Sequence, residues 1–256
     1  VLESGPRHLP ATDRVAFVAS WAPDARISKS LATLVSEFER LGYRTVLVRA
    51  SDDTAPLAWP ETITRPTVIL RKPNAGYDFG SWAVGLERYP TALKRPFVIL
   101  ANDSLVGPFA PIDAVVADFE SATTDVWAAT STHQFIDHLQ SYFLGFRGGV
   151  LADPALRQFF AHLPEIHDKN AIIQRYELGL SRRLLAEGYT MTAAFESERV
   201  TSPTENPTIS GWRNLLRAGF PFVKRELLRN PDVIPDGHEV REFVSREYGT
   251  DLEGWV

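Results

Sequence analysis

The sequence predicts an α/β fold: a single Rossmann-like domain with a mainly parallel central sheet and a C-terminal helical and loop extension. Two observations carry that expectation. Short β-branched apolar runs alternate with segments of helical periodicity through the first two thirds of the chain. Polar clusters rich in Asn, Asp, Gly and Ser stand at the ends of two of those runs, where an open α/β sheet gathers its ligands.

The opening strand is expected over residues 15–20, which are apolar and rich in strand formers. Ile27, Leu31, Leu34, Val35, Phe38 and Leu41 then recur at helical spacing, and Gly42 stands where a helix end wants positive φ. Further strands are expected over residues 45–48, 67–70, 97–101, 126–130 and 142–146. Helices are expected over residues 79–88 and 112–119, and from Pro154, suited to a first helical turn, to about His162. Residues 171–187 give the strongest helical pattern, with Ile172, Ile173, Tyr176, Leu180, Leu184 and Leu185 in one stripe and Gly188 ending it. Beyond Val200 the chain turns polar and proline-bearing, then basic and aromatic over residues 212–229, where Pro221 interrupts. The expected division is an α/β domain over residues 13–199 and an extension packed on it over residues 200–256.

Composition excludes several classes. The 256 residues carry a formal charge of −5 and no cysteine. Bulk electrostatic binding of nucleic acid needs clustered Lys and Arg, so no nucleic-acid partner is expected. Disulfides, thiolate zinc and a cysteine nucleophile are excluded outright. Residues 1–13 hold no apolar run of signal-peptide type, and no stretch approaches a membrane span. The expected location is the cytoplasm. The Trp, Phe, Arg and Lys of residues 212–229 suggest peripheral contact at the inner face of the cytoplasmic membrane, with folding back over the site as the alternative.

Two clusters carry the chemistry. The first runs Arg71-Lys72-Pro73-Asn74-Ala75-Gly76-Tyr77-Asp78 after the 67–70 strand. Its two cations suit a diphosphate, its glycine permits close backbone approach, and the helix that follows favours negative charge at its N-terminus. Asp78 is alternatively a helix cap. The second, Asn102-Asp103-Ser104, sets a carboxylate, an amide and a hydroxyl at a strand end, hard oxygen donors of the kind that hold Mg or Mn with substrate phosphates. An Asx turn before Gly107-Pro108 is the structural alternative.

Glu177 shares helical spacing with Ile173, Leu180 and Leu184, which sets a carboxylate beside an apolar stripe. Partial burial is expected to raise its pKa towards the range useful for a general base. His138, Gln140 and Ser141 offer hydrogen-bonding groups suited to a sugar acceptor just before an aromatic strand.

The blocks Asn74-Ala75-Gly76-Tyr77-Asp78-Phe79-Gly80, residues 100–108, residues 138–143, and Asn206-Pro207-Thr208 followed by residues 219–224 together resemble the rhamnan synthesis protein F family of bacterial polysaccharide glycosyltransferases. More distantly, they are similar to inverting transferases of the glycosyltransferase A-type fold. That resemblance implies a nucleoside-diphosphate sugar donor, rhamnose by the family's name, and a glycan or lipid-linked glycan acceptor. It sets Asn74, Gly76 and Asp78 at the nucleotide-diphosphate side, Asp103 at the metal and phosphate position, Asp52 near base and ribose, and Glu177 on the acidic helix. The strand-end motif departs from the two carboxylates of that fold, holding Asp103 alone between an amide and a hydroxyl. A nucleotidyltransferase, and a binding module without catalysis, stand as the competing readings.

Overall fold

A computed structural model describes residues 1–163 and 173–256, the Ile173 side chain excepted. Its strands are β1 (Leu2–Ser4), β2 (Arg14–Trp21), β3 (Arg44–Ala50), β4 (Val68–Lys72), β5 (Phe97–Asn102), β6 (Leu105–Val106), β7 (Val126–Thr132), β8 (His138–Leu139), β9 (Phe143–Arg147), β10 (Met191–Glu196) and β11 (Val223–Lys224). The large sheet runs in the order β1-β4-β3-β2-β5-β9-β7-β10, with β8 paired to β7. Strands β2 to β5 are mutually parallel, as are β7 and β10. Strand β9 runs against both its neighbours, β5 and β7.

Alternation along each parallel strand builds two cores. Phe17, Val48, Leu70 and Leu100 face α2 (Tyr77–Arg88), α4 (Pro154–Ala161) and α5 (Leu178–Ala186). Val18, Leu47, Ile69 and Ile99 face α1 (Lys29–Arg40) and α3 (Asp113–Ser121). Both faces are covered, which is why the strands read as near-continuous apolar runs. Helix α1 begins where the Ser28 hydroxyl accepts from the Leu31 N–H at 3.3 Å, and ends before Gly42 at φ 83°.

The chain reaches β3 and β4 on one side of β2, then returns to set β5 on the other. The loops leaving β2 and β5 therefore part company, and the crevice between them is the switch point of the sheet.

Several expectations need correction. Strands β1 and β10 were not foreseen. The first is three residues long, and the second, Met191-Thr-Ala-Ala-Phe-Glu196, has weak intrinsic strand character that parallel pairing with β7 overrides. The long helix expected over residues 171–187 is a wide π-type turn, Ile173–Glu177, leading into α5. Ala171 and Ile172 lie outside the described residues. Tyr176, Leu180 and Leu184 are buried as the stripe requires, but Leu185 is 57% exposed. Asp78 does not cap α2: Gly76, at φ 73°, occupies that position and Asp78 sits in the first turn.

Residues 200–256 form a third apolar cluster in which Trp212, Leu216, Phe243 and Trp255 pack on Val106, and β11 pairs with β6. The aromatic side chains expected at a membrane surface are turned inward: Trp212, Phe220 and Phe222 are all buried. Among the described residues no helix is long and apolar enough to cross a membrane.

Candidate active site

Strand β5 carries Asn102 to the carboxyl edge of the sheet, and the backbone pairing with β2 extends one residue further, with the Asp103 N–H donating to the Ala19 carbonyl at 3.2 Å. This holds Asp103 at the switch point. Its Oδ2 accepts from the Ser20 hydroxyl at 2.8 Å and from the Trp21 N–H at 3.3 Å, while its carbonyl accepts two bonds from the Arg225 guanidinium, at 2.9 and 2.6 Å. Asn102 Oδ1 accepts from the backbone N–H and hydroxyl of Ser104, at 3.0 and 2.6 Å, which closes the Asx turn anticipated as the structural alternative.

The two sequence clusters meet here. The Asn102 amide donates to Asp78 Oδ2 at 2.7 Å, tying the start of α2 to the end of β5. Burial first, and the Asp103 carboxylate second, push the Asp78 carboxyl up to about 7, against the opposing pull of Lys224, the Asn102 amide and Lys72. Gly76 supplies the left-handed turn that lets α2 start at this edge. Asn74 is exposed in the same loop.

Other expected residues are placed differently. The Arg71 guanidinium is turned from the crevice: it pairs with Glu3 at 2.8 Å and donates to the carbonyls of Ala55 and Asp53. Asp52 is exposed in the loop after β3, while its neighbour Asp53 closes a turn by accepting from the Ala55 N–H at 2.8 Å. Gln140 is buried, accepting from Thr130 Oγ1 at 2.6 Å and donating to Asn206 Oδ1 at 3.1 Å, so its side chain fixes loops.

Glu177, at the end of the π-type turn, faces His138 and Ser141. Its Oε2 accepts from the Ser141 N–H at 3.1 Å and from the Ser141 hydroxyl, and its Oε1 lies 3.4 Å from His138 Nε2. Burial raises the Glu177 pKa as expected, but the bonds from His138 and Ser141 outweigh it and hold the carboxyl below the usual glutamate range, reversing the expected direction. For His138 burial disfavours the charge, yet Glu177 and the Ile136 carbonyl, 2.8 Å from Nδ1, outweigh it and raise the pKa. An acceptor at each ring nitrogen favours protonation of the ring relative to a free imidazole. This pair adjoins the second cluster through the chain: Tyr142, next after Ser141, accepts at its carbonyl from the Asn102 N–H at 3.1 Å.

Four groups at this edge were not singled out as site residues. Lys224 Nζ lies 3.3 Å from Ser104 Oγ and 5.0 Å from the centroid of the Tyr142 ring. Arg225 holds the Asp103 carbonyl. Arg49 is fully buried beside Ser20 in the strand register, with Nε and Nη1 unpartnered among the described residues. Trp21 is 48% exposed at the end of β2. Lys224 stands within a quoted sequence block, but its reach to Ser104 depends on the β6–β11 pairing, which joins distant parts of the chain.

The carboxylates that lie near each other at this edge are Asp78 and Asp103. The Asp103 and Asn102 oxygens described above are engaged by protein donors, and among the described residues no group of three or more His, Asp or Glu is placed to hold a metal. A separate cavity of about 590 Å³ lies between α2 and α4, lined by Lys72, Gly76, Leu86, Phe160 and Tyr176. Asp78 and Asp103 do not line it, so the polar cluster at the switch point, where charges converge, is the stronger candidate for chemistry.

The family model for rhamnan synthesis protein F matches residues 63–252, most of the chain. The chain belongs to the rhamnan synthesis protein F family. Membership ties it to polysaccharide synthesis, and the matched residues include Asp78, Asn102, Asp103, Glu177 and Lys224. It is also similar to a Vibrio anguillarum protein named virulence protein VirA, 28% identical over 211 residues that cover 69% of this chain and 67% of that one. An uncharacterised Sinorhizobium fredii protein, y4gN, is 23% identical over 154 residues, covering 58% of this chain and 40% of its own length.

Proposed function

We propose that this rhamnan synthesis protein F family member is a glycosyltransferase that moves a sugar, rhamnose or a related deoxysugar, from a nucleoside diphosphate to a growing cell-surface glycan. The observation that carries the reading is the convergence at the switch point of Asp78, Asn102 and Asp103, with Tyr142 bonded to Asn102 and its neighbour Ser141 bonded to Glu177. Ligands bind in such crevices because loops diverge there and helix N-termini point inwards.

The reaction is a direct displacement with inversion. The acceptor hydroxyl oxygen forms a bond to the anomeric carbon as the bond from that carbon to the β-phosphate oxygen breaks, and the electron pair leaves with the diphosphate. The hydroxyl proton passes to Glu177. The contacts from His138 and Ser141 favour its ionised form, and His138 orients it. Ser141 fixes the second oxygen. Asp103 and Asn102 shape the diphosphate side, while Asp52 and Asn74 line the loops nearest the nucleoside. The reading sets the protein in the cytoplasm, with a glycan or lipid-linked glycan as acceptor.

Transfer from a panel of nucleotide sugars to a glycan acceptor tests this. A positioned base contributes about a hundred- to ten-thousand-fold in rate, so Glu177→Gln is expected to lower transfer by about that factor with nucleoside diphosphate affinity nearly unchanged. Near-normal transfer by the variant removes Glu177 from the role. Release of pyrophosphate from nucleoside triphosphates, without transfer from any nucleotide sugar, replaces the reading with nucleotidyl transfer.

A further inference from the structure

We propose that the Lys224 ammonium, held against the Asn102-Asp103-Ser104 strand end, is the cation that receives the donor's diphosphate, in place of a divalent metal. The inference rests on the nucleotide-sugar reading and adds to it the residue that meets the leaving group.

Two of the oxygen donors at this strand end are held by protein partners. Asp103 Oδ2 is held by Ser20 and Trp21, and Asn102 Oδ1 by both donors of Ser104. A magnesium ion demands a nearly ideal octahedron of oxygens and is usually bound through one or two carboxylates. Recruiting Asp103 Oδ2 for it would compete with the bonds that hold the loops of β2 and β5 together.

Positive charge is already built in. Lys224 reaches Ser104 at 3.3 Å from a rigid support, since Val223 and Lys224 pair antiparallel with Val106 and Leu105, and Val223 and Val106 are buried. Asp78 lies in the fields of Lys224 and Lys72, and Asp103 in those of Arg49 and Arg225. A departing diphosphate requires positive charge, and a preorganised cation stabilises it without reorganisation during the reaction. Lys224 is a compact point charge with three rotatable donors, suited to meet phosphate oxygens wherever they develop charge.

Calorimetry with UDP, GDP, ADP, CDP and dTDP on the full chain provides the test, run once with EDTA and once with magnesium or manganese. The diphosphate that binds is expected to do so equally, within about twofold, in both conditions. A hydrogen bond to a charged group contributes about 1.5–3 kcal/mol, so Lys224→Met is expected to weaken that affinity about ten- to a hundredfold, with partial recovery in Lys224→Arg. Binding that needs the metal and vanishes in EDTA overturns the proposal while leaving the nucleotide-sugar reading intact, and this arm holds even where the methionine variant fails to fold. Unchanged affinity in a folded Lys224→Met overturns it too. Failure of every diphosphate to bind the wild-type chain in either condition removes the nucleotide-sugar reading itself.

Discussion

His138 and Glu177 show how a single contact decides a protonation state. Glu177 beside an apolar stripe reads as a carboxylate raised by burial, and burial does act in that direction. The contact with His138 and the two bonds from Ser141 act the other way and prevail. Each member of the pair therefore favours the charged form of the other. Ring titration of His138 by NMR is expected to show a pKa above 6.5 in the wild type. In Glu177→Gln burial dominates and the value is expected to fall below it. An unmoved titration would mean that the ring takes its charge from the Ile136 carbonyl alone. The spacing of Glu177 was visible in the sequence; its partners were not, because His138 and Ser141 lie 39 and 36 positions away and only the fold brings them in.

At the level of the element, β9 decides the geometry of the site. It runs against its neighbours, so its entry, not its exit, stands at the carboxyl edge, and Ser141 and Tyr142 arrive there from the opposite chain direction. Gly145 allows it to lie close under α3: a Cβ at that position would stand 2.3 Å from the Phe119 ring. Gly145→Ala is expected to cost about 1–3 kcal/mol through overpacking, read as a lower urea midpoint with an unchanged slope. A midpoint equal to the wild type would show that Phe119 moves aside without strain. The residues of this strand were legible as apolar and aromatic, but its direction was not, since alternation reads the same from either end.

For the whole molecule the informative quantity is stability against pH. An unfolded aspartate releases its proton near 3.8, whereas Asp78 in the fold retains it to about 7. Between those values the folded state binds more protons than the unfolded one, so stability falls as pH rises through the window. Asp78→Asn preserves an acceptor for the Asn102 amide and cannot ionise. Its stability relative to the wild type is therefore expected to rise steadily from about pH 4 to about pH 7, measured as paired urea midpoints. A constant difference across that range would show that the Asp78 carboxyl ionises at its ordinary value. Because the shift arises from burial of Asp78 and from the Asp103 carboxylate, against the pull of Lys224, the Asn102 amide and Lys72, it is a property of the assembled fold and of no single segment.

The sequence by itself determined the layered α/β architecture, since strands buried on both faces must be continuously apolar and the helices that cover them must be amphipathic. It also determined that polar clusters stand at the ends of β4 and β5, because those residues follow directly on recognisable strands. Only the tertiary structure decided which charges meet. Arg71 is spent on Glu3 and loop carbonyls, while Lys224 and Arg225, some 120 positions beyond Ser104 and Asp103, are carried to the site by the β6–β11 pairing. Spacing along a chain constrains neighbours on one helix or strand. The field at a strand edge is summed over every element that converges there, and that sum exists only once the chain has folded.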